Sequence, residues 1–390
     1  MSITAEQLAV LRALGEQHGL VAFGVAPADP MERARVALEH RRAHGMHAGM
    51  SFTFKNPARS TDARASIPWV ASFVAGAVRY NGDDLGEPPE PQSSRPSGRV
   101  ARYAVGDHYT VLRDALGHLA RQLKVWGHKA TVVADENNLV DREVAWTAGL
   151  GWYGKNANLL VPGVGSWVVL GAVVTSATFS PDVDFVSTPV DDGCGSCTRC
   201  LPACPTGAIV EPGVVDGRRC LAWLVQAPGV FPREHRVAMG NRIYGCDDCQ
   251  EVCPPNRLAV RRGQPRPTGA SWVDLIGIVE ASDDDLLDRF GHWYLAGRSV
   301  RSLRRNALIA LGNSGCAANA AVRSAIAGAL SNDDEIIRSH ALWAAHRLGH
   351  FDLVASMVDD QSTLVRDELA SRDFSDHDNT GQDPGAISTP

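Results

Sequence analysis

The sequence predicts a multidomain α+β chain in three parts: an N-terminal α/β domain, a bacterial-ferredoxin-like two-cluster domain, and a C-terminal α-helical stack of HEAT-like repeats. Three observations carry this reading. Helix-patterned and strand-patterned segments alternate over roughly the first 180 residues, the pattern of packed helix and sheet layers. Eight of the nine cysteines then fall between Cys194 and Cys253. Beyond them, Arg304-Arg305-Asn306-Ala307-Leu308 is echoed by Arg338-Ser339-His340-Ala341-Leu342, and each copy closes on a Leu-Gly pair, Leu311-Gly312 and Leu348-Gly349. Paired helices at such a period stack to share a core.

The elements follow in order. Thr4 and Gln7 can form a capping box that opens a helix to about Gln17, with Leu8 and Leu11 at helical spacing. Leu20 to Val25 and Trp69 to Val78 read as apolar strands. Residues 86–98 are rich in Pro, Gly and Ser and read as a loop. Tyr109 to Trp126 is patterned as an amphipathic helix and Ala130 to Val133 as a strand. Asn158 to Val161 and Trp167 to Thr175 read as paired strands around the turn Pro162-Gly163-Val164-Gly165. Residues 261–270 form a second linker. From about Arg372 the chain is polar, acidic and poor in apolar residues, the composition of a disordered tail. The expected division is 1–185, 186–262, 271–370 and a tail 372–390.

The chain has 390 residues, 44% of them hydrophobic, enough for two or three cored domains. No apolar run approaches the ~18 residues that span a bilayer. The N-terminus carries no basic segment, so nothing marks export and a reducing cytoplasm is expected. A net charge of −6 does not advertise nucleic-acid binding by the chain as a whole, although a local basic surface stays open.

The cysteines carry the chemistry. Cys194, Cys197, Cys200 and Cys204 with Pro205 reproduce C-x2-C-x2-C-x3-C-P, the bacterial ferredoxin spacing. Cys246, Cys249 and Cys253 with Pro254 form a second run one cysteine short, and Cys220 can supply the missing thiolate. In two-cluster ferredoxins the fourth cysteine of a run binds the other cluster. The expected ligand sets are therefore Cys194, Cys197, Cys200 and Cys253 for one [4Fe–4S] cluster, and Cys204, Cys220, Cys246 and Cys249 for the other. Structural zinc prefers two separated C-x2-C pairs, which the third cysteine of each run argues against. A disulfide framework suits short secreted chains. Cys316, in an Ala-rich stretch patterned as helix, reads as a small buried apolar residue.

The segment Asp141-Arg142-Glu143-Val144-Ala145-Trp146-Thr147-Ala148-Gly149-Leu150-Gly151-Trp152-Tyr153-Gly154-Lys155-Asn156 resembles the epoxyqueuosine reductase family. So do Gly165-Ser166-Trp167, Arg102-Tyr103-Ala104-Val105-Gly106 with Tyr109, Gly245-Cys246-Asp247-Asp248-Cys249, and Arg305-Asn306-Ala307 before Leu311-Gly312-Asn313. The resemblance implies that the N-terminal domain binds cobalamin without a lower base ligand. It implies that electrons pass through two clusters to cobalt, and that the epoxide of epoxyqueuosine in a tRNA anticodon loop is reduced to queuosine. The anticodon stem-loop would be held partly by the helical repeats, and an unidentified reductant protein would supply electrons.

Epoxide opening needs a proton, and Asp135, ending the strand Ala130–Val133, falls where the family places its proton-donating aspartate. A turn aspartate is the structural alternative. Tyr103, Tyr109, Arg142, Lys155, Asn156 and Ser166 are the expected cofactor contacts on the same resemblance. Gly149, Gly151 and Gly154 can let backbone approach a flat ligand. Arg298, Arg301, Arg304 and Arg305 are a candidate phosphate grip. Ala222-Trp223, Asn137-Asn138 and Pro255 depart from the family pattern near the pocket. A related corrinoid reductase acting on another substrate, such as an organohalide, and an iron–sulfur electron carrier without corrinoid remain alternatives.

Overall fold

The computed structural model describes residues 2–80, 95–179, 192–260 and 271–371. The first helix, α1 (Ala5–Gln17), opens on a reciprocal capping box: Thr4 Oγ1 accepts the Gln7 N–H, and Gln7 Oε1 accepts the Thr4 N–H. It is followed by β1 (Leu20–Pro27), α2 (Glu32–Ala43) and β2 (Ser72–Arg79). Next come β3 (Ser97–Val100), α3 (His108–Val125) and β4 (Ala130–Val133). The helix α4 (Asp141–Thr147) leads into the short strands β5 (Trp152–Tyr153) and β6 (Leu159–Leu160), then β7 (Val168–Thr175).

The strands β1, β2, β7 and β4 form, in that order, a sheet that is antiparallel throughout. Its two central strands are covered on both faces, and successive residues serve opposite layers as the two-residue period of a strand requires. Val74, Val78, Val169 and Val173 share one core with Leu112, Leu116 and Leu119 of α3. Phe73, Ala75, Ala77, Leu170, Ala172 and Val174 share another with Val144, Ala145 and Ala148 at α4. A Cβ on Gly24 of β1 would lie 2.1 Å from the Ala148 carbonyl oxygen, so glycine is what lets the end of α4 rest on the sheet.

Two sequence expectations change here. The hairpin between 158–161 and 167–175 does not form. Only Val161 and Gly165 bridge around the turn, after which β7 pairs with β2 and β4 while β6 pairs back with β5. The Ser166 N–H at the exit of the turn is taken by Asn256 Oδ1 at 2.6 Å, which directs the chain away from β6. Of the loop expected over 86–98, residues 86–94 lie outside the described residues, and Ser97 and Gly98 belong to β3. The partners of β3 lie far along the chain, so local composition carries no sign of them.

The cysteine-bearing stretch contributes α5 (Cys200–Ala203), α6 (Leu221–Leu224), β8 (Arg242–Tyr244), α7 (Asp248–Glu251) and α8 (Pro254–Val260). Then follow β9 (Trp272–Asp274), α9 (Leu275–Glu280), α10 (Asp283–Phe290), α11 (Arg301–Gly312), α12 (Ala320–Leu330), α13 (Glu335–Arg347) and α14 (Thr363–Ala370). The strand β3 sits between β8, which runs parallel to it, and β9, which runs antiparallel. One small sheet thus takes a strand from each of the three sequence regions. A single core runs from Val100 and Ala104 through Leu221, Val225 and Ile243 into Leu308, Leu311 and Leu342 of the helices. The echoed arginines pair in opposite directions along the chain: Arg304 reaches back to Asp283 at 2.5 Å and Arg338 reaches forward to Asp360 at 2.8 Å.

Cys316 lies in the loop between α11 and α12 rather than in a helix, partly buried against this core. No helix among the described residues is long and apolar enough to cross a membrane. The expected linker 261–270 and the expected disordered tail 372–390 lie outside the described residues.

Candidate functional site

Eight thiols gather where the three regions meet. Cys194 and Cys197 lie in turns, Cys200 opens α5, Cys204 ends it, and Cys220 caps α6. Cys246 follows β8, Cys249 sits in α7, and Cys253 immediately precedes α8. Electrostatics sorts them into two sets of four. Burial pushes the Cys253 thiol up to about 11, opposed by the Asn256 N–H and reinforced by Cys194, Cys200 and Cys197. Burial likewise raises Cys249, reinforced by Cys246, Cys220 and Cys204. A backbone N–H from Ala208 already points at Cys204 Sγ, 3.1 Å away. Among the described residues no three His, Cys, Asp or Glu side chains converge on the position of a single metal ion. Two quartets of neighbouring thiols, with backbone N–H groups turned toward Cys204, Cys220 and Cys253, fit the donor set of two cubanes.

The N-terminal domain grips these loops through residues that the sequence singled out. Lys155 Nζ donates to the Gly195 carbonyl at 2.6 Å, between the first two cysteines. Asn156 Nδ2 donates to the Cys249 carbonyl at 3.3 Å. Ser166 Oγ accepts from Asn256 Nδ2 at 2.9 Å and from Gln250 Nε2 at 3.1 Å. A Cβ on Gly165, whose φ is +84°, would collide with Asn256 Oδ1, so the turn glycine makes room for this clip. The close approaches at Gly151 and Gly154 are to Leu160, their own hairpin partner.

Two adjoining cavities open between the domain and the cysteine loops. One, of about 560 Å3, is walled by Tyr103, Tyr109, Trp223 and Tyr294 and includes all four cysteines of the second quartet, Cys204, Cys220, Cys246 and Cys249. The other, of about 630 Å3, extends under β7 past Leu139, Val168 and Leu170. Tyr109, Arg142 and Phe52 line both. Arg142 Nη1 donates to the Ala157 carbonyl at 2.7 Å, and the Tyr103 hydroxyl accepts from Gln226 Nε2 at 3.0 Å. A broad, flat group with a long polar arm fits these joined spaces: aromatic and aliphatic walls flank the thiols, and Arg142, Lys155 and Asn158 line the extension.

Asp135 sits at the edge of this region, on a loop walling a third cavity of about 630 Å3 with Lys55, Asn56 and Arg59. Its backbone is in the left-handed region (φ 58°), uncommon outside glycine. The Asp135 N–H donates to Asp141 Oδ2 at 3.0 Å, which holds it there. Asp135 is exposed, yet the surrounding protein pushes its carboxyl upward, opposed by Arg113. Burial lifts Asp141 to about 8. Its other oxygen, Oδ1, is buried and has no hydrogen-bond partner. The Tyr109 hydroxyl is raised by burial first and then by Asp135 and Asp141, so it feels both carboxyls.

Sequence reasoning missed several groups. Buried Glu143 receives two hydrogen bonds from Arg33, at 3.1 and 2.6 Å, and a third from the Tyr153 hydroxyl at 2.9 Å. The Arg33 guanidinium also lies 3.9 Å from the Trp146 ring centroid. Arg41 lines both joined cavities, and burial and then Arg142 lower its pKa. His47 lines the thiol-walled cavity with a buried, unpartnered Nδ1. These side chains lie far apart along the chain, and no spacing rule connects them. The expected arginine grip also changes: Arg305 is 1% exposed and bound to carbonyls, Arg301 pairs with Asp334, and Arg304 is held by Asp283.

Residues 193–256 match the model of a 4Fe-4S double cluster binding domain. An epoxyqueuosine reductase of Bacillus cereus is 32% identical over 365 residues, which is 91% of this chain and 92% of that protein. The Bacillus subtilis epoxyqueuosine reductase is 35% identical over 73% of both chains. A crystal structure of epoxyqueuosine reductase with an epoxyqueuosine-modified tRNA-Tyr stem loop superposes with a TM-score of 0.82, at 29% identity, over 93% of this chain and 98% of that one. A Bacillus subtilis structure whose catalytic aspartate loop is swung out of the active site superposes at 0.83, with 28% identity, over 93% and 98%.

Proposed function

The chain belongs to the epoxyqueuosine reductase family, and we propose from this premise that it reduces epoxyqueuosine to queuosine in tRNA, drawing electrons through two [4Fe–4S] clusters. Removing an epoxide oxygen to leave an alkene and water consumes two electrons and two protons. The observation that carries the reading is the placement of the second thiol quartet in the wall of a cavity that also adjoins the Asp135 loop. A centre bound there can receive electrons from the clusters while a substrate receives protons from the loop.

In this reading Cys194, Cys197, Cys200 and Cys253 hold the outer cluster, whose loop from Gly193 to Arg199 is largely exposed to a reductant protein. Cys204, Cys220, Cys246 and Cys249 hold the inner one. Cobalamin, when bound, supplies a strongly reducing and nucleophilic metal centre in the joined cavities. Tyr103 and Tyr109 would flank it, and Arg142 would meet its polar groups. Lys155, Asn156 and Ser166 serve it indirectly, because their hydrogen bonds fix the cluster loops to the N-terminal domain. Asp135 donates a proton to the epoxide oxygen, its carboxyl kept protonated more readily by its surroundings.

Residues 1–185 form the cofactor-binding part and 186–262 the cluster part. Residues 271–370 form HEAT-like repeats that help hold the anticodon stem-loop. An RNA substrate and oxygen-sensitive thiolates support a cytoplasmic location. The test is anaerobic reconstitution with iron, sulfide and cobalamin, followed by reaction with an epoxyqueuosine-modified stem-loop and nucleoside analysis. Queuosine is the expected product. A corrinoid-loaded, fully clustered protein that leaves the epoxide untouched would overturn the reading.

A further inference from the structure

An aromatic ring left in water forgoes the burial that makes such side chains valuable, so exposed rings grouped at a cavity mark a surface that something covers. Among the described residues three aromatic side chains stand out as large, exposed and apolar: Phe52, Tyr294 and Phe351. Two of the three, Phe52 and Tyr294, line the cavity that includes the second cysteine quartet. Phe52 also lines the cavity under β7 and the one beside Asp135, so it stands where all three meet.

Both rings are presented by anchored backbone. Phe52 is followed by buried Thr53, whose carbonyl accepts the Ser60 hydroxyl at 2.8 Å. The Lys55 N–H closes the same turn on the Ser51 carbonyl at 2.6 Å. Tyr294 follows buried Trp293, whose ring stacks with those of Tyr244 and Phe290 at centroid distances of 4.5 and 4.6 Å. Trp293 Nε1 donates to the Ala104 carbonyl at 2.9 Å, and the Tyr244 hydroxyl donates to the Tyr294 carbonyl at 3.1 Å. These contacts fix the chain beneath each ring and leave the ring itself exposed.

Cations accompany the rings. Lys55 is exposed on the wall of the Asp135 cavity and has no hydrogen-bond or ion-pair partner among the described residues. With Arg59 it offsets Asp135 and Glu136 in that wall, so a phosphate can approach the acidic loop without net repulsion. Arg298 lies shortly beyond Tyr294 and is exposed. Of the four arginines that the sequence offers as a phosphate grip, it alone keeps a free guanidinium among the described residues.

We propose that Phe52 and Tyr294 are stacking faces for the single-stranded loop of the RNA substrate, Phe52 taking the base to be reduced and Tyr294 a neighbouring base. The inference rests on the function proposed above and names where its substrate is held. A base that leaves its loop to enter a cavity forfeits its stacking, and an aromatic ring at the entrance restores it. Phe52 is placed for the reacting base because it shares a cavity with Asp135. Tyr294 belongs to the segment that leads into the C-terminal helices, so it meets the RNA on their side.

The test is a cycle of substitutions on both molecules, with the full chain carrying its clusters and cobalamin and a fluorescein-labelled anticodon stem-loop as probe. Phe52→Leu and Tyr294→Leu should each weaken binding of the modified stem-loop by roughly five- to a hundred-fold. They should raise KM, and iron and corrinoid content should stay at wild-type levels. Phe52→Tyr and Tyr294→Phe, which keep a ring, should bind normally. A stem-loop abasic at the modified position should bind wild type and Phe52→Leu alike, while Tyr294→Leu should still weaken it. Lys55→Ala should lower the salt dependence of binding by about one charge. Wild-type affinity in both leucine variants would overturn the proposal. So would an equal loss with the abasic RNA in Phe52→Leu, or loss of corrinoid with RNA binding intact, which would assign the rings to the cofactor. The expected binding pattern without any queuosine formed would support the stacking faces and overturn the proposed reaction.

Discussion

The guanidinium of Arg305 donates to the Leu224 carbonyl at 2.9 Å, so a helix of the C-terminal region holds the end of the short helix that Cys220 begins. The same group also donates to the carbonyls of Ala227 and Gly229, each at 2.7 Å. Its neighbour Asn306 donates to the carbonyls of Val225 and Ile243, and Ile243 lies three residues before Cys246. Two adjacent side chains of α11 therefore tie down both approaches to the second thiol quartet. Burial, and then the charge of Arg236, lowers the Arg305 pKa to about 9, leaving it protonated at neutral pH.

Arg305→Met should strand these carbonyls, each at about 1–3 kcal/mol. Arg305→Lys should rescue only in part, because an ammonium cannot span the fork. Iron per chain should fall from about eight toward four, the second cluster being lost first. Iron analysis with electron paramagnetic resonance of the reduced protein checks this. Retention of both signals in Arg305→Met would refute the tie.

Cys220→Ser should damage one cluster and spare the other. The thiol neighbours assign Cys220 to the set of Cys204, Cys246 and Cys249. The expected spectrum keeps one intact reduced [4Fe–4S] signal, and turnover should vanish because the inner step of the relay is missing. Loss of both signals together would show that the quartets do not assemble independently.

Asp135→Asn should retain iron and corrinoid and lose turnover by roughly a hundred-fold or more, the scale of a removed general acid. Single-turnover assays with a pre-reduced enzyme separate this from slow electron delivery. Near-normal rates would move the acid elsewhere.

Asp141 links stability to pH. Its pKa rises from the usual value near 4 to about 8 on folding. The folded chain therefore keeps a proton that the unfolded chain releases between those values. This contribution is full at low pH and is lost as pH climbs through the window, levelling off above it. Thermal melts of the wild-type protein should weaken from pH 5 to pH 8 more than those of Asp141→Asn. Parallel slopes for the two proteins would show that Asp141 is not protonated in the fold.

The capping box at Thr4 and Gln7, the helix near Tyr109–Trp126 and the strand Ala130–Val133 were legible because each depends on neighbours within a few residues. The cysteine runs were legible for the same reason, since a tight loop fixes the spacing of its thiols. Pairing was less legible. The partner of β7 is β2, nearly a hundred residues back, and a turn glycine gives no hint of that choice. The Arg33–Glu143 contact joins residues 110 apart and was invisible for that reason. Lys155, Asn156 and Ser166 were legible as special positions. Their hydrogen bonds to the cysteine loops show what a motif alone leaves out, the direction in which each side chain reaches.

The small sheet centred on Ser97–Val100 sets a timetable for biogenesis. Its flanking strand Trp272–Asp274 leaves the ribosome about 170 residues after it, a delay of roughly ten to thirty-five seconds at ordinary rates of synthesis. Until then the central strand lacks a neighbour and the cysteine loops lack their scaffold. Iron insertion should therefore follow translation of the helices, and nascent chains stalled before residue 270 should emerge without metal.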